Sequence, residues 1–145
     1  MNERKRILVG VDGSENAQRA LQWAIDRARE LDAEIVAVHA IELPSYLLAA
    51  YKPPITAFDE EWRNGIKSRF QDEWLRPLKD SGVPYRAVVG DGDPAAIVNQ
   101  AAEEQDADMI VLGRRGLGGF TELLLGSVSE KVTHHSKRPV VLLSP

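Results

Sequence analysis

The sequence predicts a three-layer α/β fold, a doubly wound parallel sheet with helices on both faces, and three observations carry that prediction. Short runs rich in β-branched residues recur along the chain, amphipathic helical patterns separate them, and the runs are continuously apolar instead of alternating. A strand covered by helices on both faces has no solvent side and therefore no polar alternate positions. The order β-α-β-α-β-α-β-α-β argues for right-handed crossovers within one sheet. A chain of 145 residues is the size of one domain, here 1–145. At that length folding buries roughly two-thirds of the unfolded chain's accessible surface.

The strands are read in order from "RILVGV" (6–11), "EIVAVHAI" (34–41), a weaker "YRAVVG" (85–90), "DMIVLG" (108–113) and "PVVLLS" (139–144). The first helix spans about 14–31. Ala17, Ala20, Leu21, Ala24, Ala28 and Leu31 recur at steps of three and four, Ser14 is placed to cap, and Glu15 complements the positive helix end. Phe58, Trp62, Ile66, Phe70, Trp74 and Leu78 predict an aromatic stripe lying on the sheet, with Pro77 ending or kinking that helix near Leu75. In "DPAAIVNQAAEE" Asp93 is the cap and Pro94 the first helical residue. The last helix, about 127–136, carries Val128 and Val132 on one face. The connection "ELPSYLLAAYKPPITA" (42–57) departs from the regular scheme, with three prolines beside Tyr46, Leu47, Leu48 and Tyr51. Connections of this length are commonly functional, and two readings fit it: a lid or partner surface, or packing on the domain edge.

Composition bounds the function. With 43% hydrophobic and 28% charged residues the chain is an ordinary globular sequence. Its net charge of −4 gives no electrostatic reason to expect nucleic acid or anionic membrane as partner. The absence of cysteine excludes disulfides, thiolate metal sites and thiol catalysis. "MNERKR" leads into an apolar run too short for a signal peptide or a membrane span, so a cytoplasmic location is expected.

The segment "GRRGLGGFTELLLGSVSEKV" (113–132) carries the chemistry. It leaves the end of one strand at Leu112 and Gly113 and reaches the start of a helix at Gly126 and Ser127. In open α/β sheets ligands sit beyond the carboxyl ends of strands, and a helix N-terminus preceded by glycine offers free N–H groups to an anion, expected to be phosphate. Ser127-x-x-Glu130 also reads as a capping box, in which the hydroxyl serves the helix's own N–H groups. "GxxxxGK[ST]" is absent, because Val128 follows Gly126-Ser127, which argues against P-loop phosphoryl transfer. Arg114, Arg115 and Lys131 are the nearby cations. Arg115 either reaches a phosphate or is a solvated loop charge, and Arg114 is read as solvated.

"VGVDGS" (9–14) puts Asp12 at the tip of the first strand. Asp12 there either holds a ribose hydroxyl or a phosphate-bound metal, or makes an Asx turn before the helix. "GDGDPAA" (90–96) lacks the third glycine of a dinucleotide turn and reads as a capped helix start. His39 reads as a satisfied core histidine. His134 and His135, adjacent and so about 100° apart on a helix, make a poor metal pair and suit a helix C-terminus.

Gly113-x2-Gly116-x9-Gly126-Ser127 matches the ATP-binding pattern Gly-x2-Gly-x9-Gly-(Ser/Thr) of the universal stress proteins. The resemblance runs the length of the chain, through "RILVGVDGSENAQRAL", "AVHAI", "GDPAAIVNQAAEEQDADMIVLGRRGLGGF", "LLLGSVSEKV" and "RPVVLLS". It implies a Rossmann-like sheet of five parallel strands in the order 3-2-1-4-5. It implies that Val11, Asp12, Gly13 and Ser14 line the nucleoside side and that the Ala40 backbone meets the adenine edge, where valine is common in the family. It further implies that Leu112, Gly113, Arg115 and Gly116 follow the ribose and phosphates, and that Gly126, Ser127, Val128 and Ser129 bind phosphates. ATP, with Mg or Mn, is the expected ligand. The resemblance also implies a homodimer through the last strand, Val140, Val141, Leu142 and Leu143, which would otherwise be an exposed apolar edge.

Three functions follow from these readings. The preferred one is an ATP-binding regulatory protein of the stress response, whose nucleotide state changes the loop after Gly113, and with it the dimer or a protein partner. The second is a slow ATPase, against which stand the missing Walker lysine and the lack of a second strand-tip carboxylate beside Asp12. The third is a nucleotide-independent interaction module using the apolar 43–51 stretch.

Overall fold

The computed structural model describes residues 3–42, 56–114 and 126–145, with the side chains of 56–59 set aside. Five strands form one parallel sheet: β1 (Arg6–Gly10), β2 (Glu34–Ile41), β3 (Tyr85–Asp91), β4 (Met109–Gly113) and β5 (Val140–Leu143). Their order is β3-β2-β1-β4-β5, as expected, with every neighbouring pair parallel. The described helices are α1 (Glu15–Leu31), α2 (Thr56–Arg69), α3 (Arg76–Ser81), α4 (Pro94–Glu104) and α5 (Ser127–His135).

The continuous apolar runs have the expected cause. Within β1, Ile7 and Val9 join a core with Leu21, Ile25 and Ala28 of α1, while Leu8 between them joins Val98 and Ala102 of α4 and Val132 of α5 on the opposite face. Each of these residues is at most 4% exposed, so consecutive residues of one strand are buried in two different layers. At about 25 cal/mol per Å² of apolar area removed from water, both faces contribute to stability, and a polar residue at any of these three positions would be unpartnered. Local signals also hold at the helix starts. Ser14 Oγ accepts from the Ala17 N–H at 3.1 Å, and Asp93 Oδ2 accepts from the Ala96 N–H at 3.1 Å with Pro94 next to it.

The aromatic stripe departs from expectation. The helix is interrupted by a π-helical turn, Phe70–Trp74, in which the Leu75 N–H donates to the Phe70 carbonyl five residues back at 3.0 Å. Pro77, without an N–H, cannot continue the α2 ladder and instead sits in the first turn of α3. The extra residue rotates the stripe: Phe70, Leu75 and Leu78 are fully buried, whereas Trp62, Ile66 and Trp74 are only half-buried. Several ends shift by a residue or so, with β1 stopping at Gly10, β4 starting at Met109, β5 covering Val140–Leu143 and α5 ending at His135. Most of the 42–57 connection, including Tyr46, Leu47, Leu48 and Tyr51, lies outside the described residues.

Candidate functional site

The strand order reverses between β1 and β4, and the candidate site is built at the carboxyl ends of that pair. From β1 the chain runs through Val11, Asp12, Gly13 and Ser14 into α1. The Val11 N–H donates to the Val38 carbonyl at 2.9 Å, and the Val11 carbonyl lies 2.6 Å from Nδ1 of His39. A carbonyl only accepts, so this nitrogen carries the hydrogen. Asp12 Oδ1 accepts from the Ser14 N–H at 2.9 Å, the Asx-turn geometry considered for it. Gly13 has φ +84°, and a Cβ placed on it would stand 2.6 Å from the Trp74 indole. The indole therefore lies against the bare glycine. Trp74 is held in turn by an edge contact to His39, with centroids 5.1 Å apart, and by Gln18 of α1, whose Nε2 donates to the Trp74 carbonyl at 3.2 Å.

The β4 side meets this loop through α1. A Cβ on Gly113 would stand 2.6 Å from Asn16 Nδ2 and 3.0 Å from the Asn16 backbone carbonyl carbon, so α1 closes tightly on the strand end. Ser129 Oγ donates to the Gly113 carbonyl at 2.8 Å, and the buried Ser129 thereby ties the first turn of α5 to β4. The Gly126 N–H donates to the Arg114 carbonyl at 2.7 Å, and the Arg114 N–H to the Leu143 carbonyl at 2.8 Å. The chain that leaves at Arg114 thus returns to the same point at Gly126.

These bonds decide the start of α5. Gly126, extended at φ −72° and ψ 163°, is the cap residue, and the first intrahelical bond runs from the Glu130 N–H to its carbonyl at 3.0 Å. Ser127 is therefore the first helical residue and does not form the anticipated capping box: no side chain among the described residues caps this helix. The N–H groups of Ser127, Val128 and Ser129 precede the first intrahelical bond, at the positive end of the helix, where an anion is stabilised by its dipole and by hydrogen bonds.

Of the residues singled out in the sequence, Val11, Asp12, Gly13, Ser14, Gly113, Gly126, Ser127, Val128 and Ser129 converge on this end of the sheet. Leu112 is buried beneath it in the core shared with α4. Ala40 follows His39 on β2 and pairs with Gly90 of β3. Arg115 and Gly116 lie outside the described residues. Arg114, anticipated as a solvated charge, is half-buried, with its Nε buried and without a partner among the described residues. Lys131 faces Asp93 at 3.6 Å in an exposed pair. His134 and His135 are exposed in the last turn of α5, as expected.

His39 is satisfied, as read from the sequence, by the Val11 carbonyl, and Trp74 joins this loop, which its position in the aromatic stripe did not show. His39 is half-buried and also packs on Phe70, with centroids 5.7 Å apart. Burial holds its pKa below the ordinary histidine value, opposed in part by the Val11 carbonyl and the negative charge of Asp12. Its position at the carboxyl end of a strand next to Ala40 was the available signal. A second, charged cleft at the opposite end of the sheet is lined by Arg4, Lys5, Arg6, Asp32, Asp106 and Asp108; within it Arg4 pairs with Asp32 and Lys5 with Asp108, while Arg6 pairs with Glu34. Among the described residues no group of three or more His, Cys, Asp or Glu is arranged to hold a metal ion, and no helix is long and apolar enough to cross a membrane.

Comparison with known proteins gives one answer. The sequence model of the "Universal stress protein family" matches residues 3–144. A universal stress protein of Thermus aquaticus is 36% identical over 96% of this chain and 98% of its own length. A universal stress protein of Bacillus subtilis is 32% identical over 95% and 97%. The solved structure of UspA from Lactobacillus plantarum superposes with a TM-score of 0.83 at 23% identity, covering 98% of this chain and 99% of that one, which speaks for the fold. A universal stress protein crystallised in complex with cAMP superposes with a TM-score of 0.71 at 25% identity, covering 99% and 98%. Fold, sequence pattern and comparison agree, and the chain belongs to the universal stress protein family.

Proposed function

We propose that this chain is an ATP-binding regulatory protein that holds the nucleotide at the carboxyl ends of β1 and β4. The observation that carries the reading is the start of α5: Ser127, Val128 and Ser129 present N–H groups beside Gly113 that no side chain among the described residues caps, while the Gly126 N–H is held by the Arg114 carbonyl. The complex of a family member with cAMP supports a nucleotide as the ligand class. In this reading Asp12, Gly13, Ser14 and the Ala40 backbone meet the nucleoside, and Leu112, Gly113, Arg115 and Gly116 follow the ribose and phosphates. Mg or Mn would neutralise phosphate charge. The donor set fits a cation carried chiefly by phosphate oxygens, since Asp12 is the carboxylate at hand and the described residues hold no metal-binding cluster.

The same reading makes residues 1–145 a single nucleotide-binding domain, working in the cytoplasm as a homodimer through β5. Val140, Val141, Leu142 and Leu143 are half-buried at the sheet edge, where a second copy would cover them. Nucleotide occupancy then biases the dimer or a protein partner through the chain between Arg114 and Gly126.

The test is calorimetric titration of ATP into the native protein and into Gly126→Val. Gly126 has φ −72° and ψ 163°, which valine adopts readily, so the variant keeps its fold while its branched side chain enters the phosphate space. The expected result is ATP binding by the native protein and at least a hundredfold weaker binding by the variant at an unchanged circular dichroism spectrum. Equal binding by both proteins would remove the α5 start from the site, and absence of binding by the native protein at millimolar ATP would end the proposal.

A further inference from the structure

The loop from Val11 to Ser14 is fixed from outside itself by two side chains whose sequence positions lie far away, His39 on β2 and Trp74 in the π-helical turn. Val11 is bound to β2 twice, by its N–H to the Val38 carbonyl and by its carbonyl to His39 Nδ1. The second bond is short, 2.6 Å, and sits on a half-buried ring packed against both Phe70 and Trp74, which also touch each other. Trp74 in turn fills the space over Gly13 that any side chain would occupy. Asp12, between these two anchored residues, is thereby presented at the switch point in one orientation, its carboxylate also receiving the Ser14 N–H.

We infer that His39 is a positioning residue for the nucleotide site: through Nδ1–H it latches the Val11 carbonyl, and with Trp74 it fixes Asp12 and Gly13 where the nucleoside binds. This rests on the ATP-binding reading for its ligand but not for the latch. His39 acts through Val11, and its ring need not touch the nucleotide. The neutral ring serves the latch with one defined tautomer, Nδ1–H, and burial together with the lowered pKa keeps it in that neutral form near pH 7. Asp12 is the charged group facing it in the loop.

The experiment compares the native chain with His39→Asn, whose Nδ2–H occupies nearly the place of Nδ1–H, and with His39→Phe, which keeps the ring packing and loses the donor. Three readouts are taken: long-range nitrogen-15 spectra of the His39 ring, amide hydrogen exchange of Ser14, and affinity for ATP. The expected results are a protonated Nδ1 in the native ring, Ser14 exchange about tenfold faster in His39→Phe, and ATP affinity about tenfold weaker in His39→Phe, roughly what loss of one hydrogen bond produces. His39→Asn should stay within about threefold of native in both exchange and affinity. A native ring protonated on Nε2 instead of Nδ1 overturns the inference whatever the variants do. So does a folded His39→Phe that matches native, or a folded His39→Asn as impaired as His39→Phe. If the native protein binds no ATP, the functional reading fails alone, and the tautomer and the Ser14 exchange still decide the latch.

Discussion

Replacing Gly13 by alanine tests how the site loop is held, because two separate costs meet at one atom. The residue lies at φ +84°, where an L side chain costs about 1–2 kcal/mol. The added Cβ would lie 2.6 Å from Cε2, 2.7 Å from Cζ2 and 2.9 Å from Nε1 of Trp74, closer than real Cβ contacts come. The indole does not retreat freely, since His39 contacts its edge and its own backbone carbonyl accepts from Gln18. Overpacking of that kind typically costs about 1–3 kcal/mol. The two costs together give a destabilisation of about 2–5 kcal/mol, and at about 2–4 °C per kcal/mol for a chain of this size Tm should fall by roughly 4–20 °C. The assay is thermal unfolding of Gly13→Ala, Trp74→Ala and the double variant. The double variant removes the clash and keeps the backbone cost, so the two substitutions should couple by about 1–3 kcal/mol in the favourable direction. A Gly13→Ala protein melting within about 1 °C of native, or additive single and double variants, would refute the packing of Trp74 on Gly13.

Two further outcomes follow from the same geometry. Ser129→Ala leaves the Gly113 carbonyl without the Ser129 hydroxyl, which should cost about 1–3 kcal/mol in urea unfolding and weaken ATP binding by loosening the first turn of α5 against β4; unchanged stability would contradict the anchor. His39 has a folded-state pKa below its ordinary value of about 6.5, so the unfolded chain binds more protons between those two values. Its contribution to stability is therefore full above about pH 6.5 and diminishes as the pH falls toward the folded pKa. Urea unfolding from pH 7.5 down to 5.5 should show a shallower loss for His39→Phe than for native, and identical slopes would contradict the burial of a neutral ring.

What was legible in the sequence was whatever depends on neighbours in sequence or on burial of both strand faces. Ile7, Leu8 and Val9 look alike in the sequence because each is buried, though in alternating layers. Ser14 and Asp93 announced their caps because capping is decided within three residues. The start of α5 at residue 127 was legible, but its cap was assigned to Ser127 because Ser127-x-x-Glu130 satisfies the capping pattern locally. A bond from the Gly126 N–H to the distant Arg114 carbonyl selects Gly126 instead. The π-helical turn was hidden for a similar reason. Fourfold spacing of Phe70, Trp74 and Leu78 describes one continuous helix, and only the packing of Phe70 beneath the sheet and Trp74 over Gly13 requires the extra residue. His39 looked like a core residue since half of its role, burial, was visible, while its bond to Val11 joins positions 28 residues apart.

ATP in the crevice bounded by the Val11–Ser14 loop, Gly113 and the start of α5 is the reading on which the rest depends. It is tested most directly by following backbone amide resonances of the nitrogen-15-labelled protein during titration with ATP and Mg. The largest shifts are expected at Asp12, Gly13, Ser14, Gly113, Gly126, Ser127, Val128 and Ser129, with Arg4, Lys5, Asp106 and Asp108 at the opposite end of the sheet unmoved. Shifts centred on that opposite end, or none at millimolar ATP, would contradict it.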